Sequence, residues 1–188
     1  MKLKLFTLLL GVVLLAGSCD EQEFGFNVSK EVALEIPVAY EVDEVIASLG
    51  LNPPATEERL VLGEVDAFSD ALSDAQDLGE IVLNSIAYEI TDVSTAEETP
   101  LDELTISVEA GNQIIELIAL DGSLRNVPKT NIALTQVQLD ALINELSATG
   151  NDLNTIVNID FQQSPSEDIQ LNINMFFDIT LKIRQSLN

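Results

Sequence analysis

The chain has 188 residues, enough for one domain with a sizeable core, and a formal net charge of −24. Such a field repels nucleic acid and argues against it as a partner, while a hydrophobic content of 46% is too high for an acidic disordered chain. There is no histidine, so Ser-His and Cys-His nucleophile pairs, imidazole acid-base chemistry and ordinary zinc or copper sites are excluded.

The first nineteen residues differ from everything after them. Met1-Lys2-Leu3-Lys4 is a short basic stretch, followed from Leu5 to Ala16 by an apolar run broken only by Thr7. That run has the length of a signal-peptide core and falls short of the roughly 20 apolar residues that span a bilayer. It ends in Leu15-Ala16-Gly17-Ser18-Cys19, small residues leading to the only cysteine of the chain. A lone cysteine has no use for an internal disulfide in an exported protein. The segment resembles the lipobox of bacterial lipoproteins, departing from its common form in having Ala16 where a branched aliphatic is usual. The resemblance implies cleavage before Cys19, a diacylglycerol on its thiol and acylation of the new amino terminus. Two or three acyl chains hold a protein on a bilayer far better than one. The other reading is a cleaved secretory signal followed by an incidental cysteine.

Asp20-Glu21-Gln22-Glu23 comes directly after the cysteine. Here Asp20, Glu21 and Glu23 resemble the acidic export signal that sends Bacteroidota lipoproteins to the outer face of the outer membrane. In enterobacteria an aspartate at this position resembles an inner-membrane retention signal instead, and a plain solvated tether is the third reading. The expected organisation is a signal peptide at 1–18, a lipidated cysteine with an acidic tether at 19–27, and a single acidic domain at 28–188. Localisation follows as the cell surface, or alternatively the periplasmic face of a membrane.

Within the domain the hydrophobic pattern is mostly period two. Phe24, Phe26, Val28, Val32, Leu34, Ile36, Val38, Tyr40 and Val42 alternate with a set that includes Glu31, Glu35 and Glu41, and Pro37 marks an edge or a bulge. Leu60 to Val65, Ile81 to Val93, Leu104 to Ala110 and Gln113 to Leu120 predict further strands, with Gly111-Asn112 as a hairpin turn. Asp121-Gly122 predicts another turn, and Leu124 to Val127 a short returning strand that stops at Pro128. Leu153 to Phe161 and the alternation from Ile169 to Ile183 predict a long hairpin joined through 162–168. The fold class is a mainly-β antiparallel sandwich of seven or eight strands with one or two short helices. One helix starts at the capping box Thr135-Gln136-Val137-Gln138, has Leu139, Leu142, Ile143 and Leu146 on one face, and ends near Gly150. A second, through Phe68, Leu72 and Ala75, would carry Asp66, Asp70, Asp74 and Asp77 on its other face.

That aspartate stripe invites a calcium site, because residues four apart meet on a helix surface and clustered oxygens are what calcium requires. Its spacing matches no cation-wrapping loop, and a solvated acidic face is the plainer reading. Asn151-Asp152 with Asn154, and Asp43-Glu44, are weaker oxygen-ligand sets that read more simply as turn and surface residues. Phe176 stands in the polar phase of its strand, either as an exposed contact or packed beneath the helix. No nucleophile elbow, phosphate loop or dinucleotide fingerprint occurs. Paired carboxylates could still hydrolyse glycosides, yet the chain has no tryptophan to stack on a sugar. The expectation is a non-catalytic envelope module held at the membrane by its lipid and binding a protein or glycan. The alternatives are a carboxylate-based hydrolase and a lipid carrier with an apolar lumen.

Overall fold

In the computed structural model, which describes residues 23–42, 54–66, 68–69, 77–94, 99–148, 152–163 and 165–186, the alternating segments become eight strands. They are β1 (Glu23–Tyr40), β2 (Thr56–Val61), β3 (Asp77–Thr91), β4 (Thr99–Ala110), β5 (Gln113–Leu124), β6 (Val127–Asn131), β7 (Asp152–Phe161) and β8 (Ile169–Ser186). A helix, α1 (Gln136–Ser147), lies between β6 and β7, and a 3-10 turn at Leu62–Glu64 follows β2.

The strands form two four-stranded antiparallel sheets, one in the order β1-β8-β3-β6 and the other β2-β7-β4-β5. Only β4 and β5 are consecutive strands that pair with each other; every other connection carries the chain across to the facing sheet. A sandwich wound in this way, with this strand order, is a jelly roll.

Period-two patterning explains why β8 is its centre. Ile169, Leu171, Ile173, Met175, Phe177, Ile179, Leu181 and Ile183 are all buried. The strand pairs along its length with β1 on one side and β3 on the other. A slip of one residue would bring Asn172, Asn174 and Asp178 inward, so the register is fixed by the side chains. Across the core, Leu104, Ile106 and Val108 of β4 and Leu153, Val157 and Ile159 of β7 face them. Pro37 is exposed on β1, an edge strand, where a missing N–H costs least.

Three expectations are corrected. β7 and β8 are not a hairpin but belong to different sheets, joined by an arch at 162–168. An arch and a hairpin share the same alternation, since in both the apolar faces end up in one core. The seven-residue link, longer than the usual two to five of a hairpin, is the signal against pairing. Asp121-Gly122 does not turn the chain: β5 runs through it to Leu124, and the positive φ of 96° at Gly122 serves an irregularity where Asp102 and Glu103 lie between Leu101 and Leu104 of β4. Val127 opens β6 on the other sheet rather than ending a strand at Pro128, which sits within that edge strand. The first strand also begins earlier than the alternation alone requires, at Glu23, inside the segment read as tether.

The turn at Gly111-Asn112 is as expected, with a positive φ of 62° at Gly111 alone of the two loop residues, the pattern of a II′ hairpin. The capping box of α1 is also present: the Thr135 hydroxyl accepts from the Gln138 amide at 3.3 Å, and Gln138 Oε1 accepts from the Thr135 amide at 2.9 Å. Leu142 and Leu146 are buried, so the helix covers the ends of both sheets over β3, β4 and β7. The Gln138 side-chain amide also donates to the Glu116 carbonyl at 3.2 Å, tying the helix start to the edge strand β5.

The sandwich thus has two unlike ends. One, here the hairpin end, holds the Gly111-Asn112 turn, the end of β2, the start of β7, the start of β1 and the end of β8. The other, the loop end, gathers the links after β1, β3, β5 and β7. There Tyr40 and Phe161, from opposite sheets, close the core with tilted rings 5.3 Å apart.

Candidate functional site

Of the residues singled out from the sequence, Cys19, Asp20, Glu21, Asp70, Asp74, Asp43, Glu44 and Asn151 lie outside the described residues. Glu23 is the first residue of β1. The aspartate stripe is not carried by one helix, because Asp77 opens β3. The helical pattern ends where a strand begins, since Ile81 and Leu83 already alternate into the core. Asp66 is exposed, and its carbonyl accepts from the Ser69 hydroxyl at 3.2 Å, while Phe68 is fully buried. Among the described residues no group of three or more Asp, Glu, His or Cys is arranged to hold a metal ion.

The most developed polar site is a cleft of about 460 Å³ at the hairpin end, lined by Arg59, Glu109, Gly111, Glu145, Asp152 and Asn154. Strand register builds it. Arg59 on β2 faces Asn154 on β7, and Glu109 on β4 pairs with the same Asn154 from the other side. Asn154 Nδ2 donates to Glu109 Oε2 at 2.8 Å, a cross-strand pair of the kind that fixes register. Asp152, the first residue of β7, is nearly buried and forms an ion pair with the largely exposed Arg59 guanidinium. The α1 residue Glu145 completes the wall, with its carboxylate beside the Gly111 turn.

Three carboxylates around a single guanidinium give the cleft a net negative character, suited to cationic groups and hydrogen-bond donors. Two of the three have structural partners, Asp152 in Arg59 and Glu109 in Asn154. No aromatic ring is among the described residues lining it. Asp152, read from the sequence as a turn or surface residue, opens β7, and Asn154 lies on the strand expected from Leu153 to Phe161; both line the cleft. Arg59, Glu109 and Glu145 carried no local signal, because their meeting depends on register and helix placement.

Phe176 lies elsewhere, on the outer face of the β1-β8-β3-β6 sheet. Its register neighbours are Ala33 on β1 and Ala87 on β3, whose small side chains leave room for the ring. It is half-buried, and among the described residues no helix is packed over it. Instead Lys129 of β6 reaches over it, with Nζ 3.9 Å from the ring centroid and 2.6 Å from Glu31 Oε1 on β1. The lysine of β6 thus ties β8 and β1 together across the outer face of the sheet.

No protein-family model matches the sequence, and no curated protein matches it. Among solved structures, the chain is similar to that of Desmodium yellow mottle tymovirus at 11% identity and a TM-score of 0.38, covering 85% of each chain. Mud crab tombus-like virus is similar at 9% identity and a TM-score of 0.40, over 95% of this chain and all of that one. A decameric BFDV capsid protein is similar at 7% identity and a TM-score of 0.40, over 85% of this chain and 99% of that one. At these values the likeness carries no functional argument, and the jelly-roll assignment rests on the strand order of the molecule itself.

Proposed function

We propose that this chain is a bacterial envelope lipoprotein in which acylated Cys19 holds a non-catalytic jelly-roll binding module on the outer membrane, facing outward. The observation that carries the reading is the apolar run ending in Leu15-Ala16-Gly17-Ser18-Cys19, followed at once by Asp20-Glu21-Gln22-Glu23, where the first strand begins. The module's construction supports binding over transport of a lipid. Among the described residues, the hollow beside Leu101, Leu104 and Leu124 measures about 50 Å³. Ligand pockets usually measure several hundred. Its partner in this reading is a protein or a glycan.

Protease added to intact cells is expected to digest the domain, and neutral replacements at Asp20, Glu21 and Glu23 to leave it protected inside. Protection of the unmodified protein, with digestion only after lysis, would contradict the outward placement and put the module on the periplasmic side. The second reading, a carboxylate-based hydrolase, is supported by the three carboxylates lining one cleft. Release of reducing sugar ends by the purified protein, abolished in both Glu109→Gln and Glu145→Gln, would favour it over a binding module.

A further inference from the structure

The start of β1 pairs with the end of β8, Glu23 opposite Ser186, so the chain enters the sandwich at its hairpin end. Only three residues separate Cys19 from Glu23. A tether so short leaves little freedom for the domain to turn over. The four links of the loop end lie at the far side of the sheets, a strand length of roughly 35 Å for the twelve residues of β4.

Described residues of those links are hydrogen-bonded across them. Val42, after β1, donates its amide to Asp168 Oδ1 at 2.8 Å in the β7-β8 arch. Val93, after β3, donates to Asn126 Oδ1 at 3.2 Å in the β5-β6 link. Ser94 exchanges two bonds with Gln170 at the start of β8: its amide donates to the Gln170 carbonyl at 2.9 Å, and its hydroxyl accepts from the Gln170 amide at 2.8 Å. A hollow at this end, beside Ala39, Asp92 and Asn172, measures about 180 Å³, against about 460 Å³ for the cleft at the hairpin end. Of these two hollows lined by described residues, the one of small-ligand size lies at the hairpin end.

We infer that the domain stands on the bilayer with its hairpin end down, holding the Arg59-Asp152 cleft close to the lipid and turning the loop end outward. The inference rests on acylation of Cys19. Because the chain has no other cysteine, a thiol introduced elsewhere in the acylated protein is unique and can carry a fluorescent donor. The test takes the full acylated protein purified from membranes, with donors at Asn112→Cys or Gly63→Cys at the hairpin end and at Gln163→Cys or Ser166→Cys in the arch. All four sites are exposed, and two per end guard against a variant that fails to fold. In vesicles with acceptor-labelled headgroups, energy transfer from either hairpin-end donor is expected to exceed that from either arch donor several-fold. Equal transfer, or the reverse order, would overturn the orientation while leaving the anchor intact. Failure of the unlabelled protein to enter vesicles would overturn the anchor, and the orientation with it.

Discussion

Phe177 and Asn174 stand three positions apart on β8 with opposite surroundings, one fully buried and the other directed outward between Glu35 and Glu89. Replacing Phe177 by alanine is expected to cost about 3 to 5 kcal/mol through lost burial and a cavity, and Asn174→Ala about 0.5 kcal/mol or less, as measured by chemical unfolding. Equal costs would mean that β8 is not half-buried. Thr155 is the odd residue of the core: it is fully buried on β7, and its hydroxyl has no hydrogen-bond partner. An orphaned buried hydroxyl costs about 1 to 3 kcal/mol, so Thr155→Val is expected to raise the unfolding midpoint; a lower midpoint would show that the hydroxyl is satisfied. At the cleft, Arg59→Ala leaves the nearly buried Asp152 carboxylate without its cation and is expected to destabilise by about 1 to 3 kcal/mol.

The elements differ in how much of them the sequence discloses, and the reason is range. β8 is legible because eight apolar residues in strict alternation specify a face without reference to any partner. The start of α1 is legible because Thr135 and Gln138 satisfy each other's amides within one turn. Thr135→Ala is expected to cost about 1 kcal/mol, read from the unfolding midpoint, and no change there would show that the cap does not stabilise the helix. What stayed hidden is long-range. Alternation in β7 and β8 does not say whether the arch at 162–168 returns to the same sheet or crosses to the other, and Gly122 serves equally for a turn or for an irregular ladder. The cleft is illegible for the same reason, because Arg59, Glu109 and Asp152 belong to three strands far apart in sequence that only the register β2-β7-β4 brings together. Tertiary pairing also overrode local pattern at Asp77, where a helical stripe gives way to a strand.

As a whole, the molecule is an acidic jelly roll with the start of β1 at one end and, at the other, described residues of the links hydrogen-bonded to one another. Its charge of −24 opposes compaction by self-repulsion, so thermal stability is expected to rise with added salt, and a fall would point to ion pairs outweighing that repulsion. The proposed surface placement and orientation on the bilayer both depend on one covalent event, acylation of Cys19. Growth on labelled palmitate tests it most directly. The account predicts that the wild-type chain takes up label and remains with membranes, whereas Cys19→Ala is unlabelled and released from them. Equal labelling of the two, or an unlabelled wild type, would contradict it.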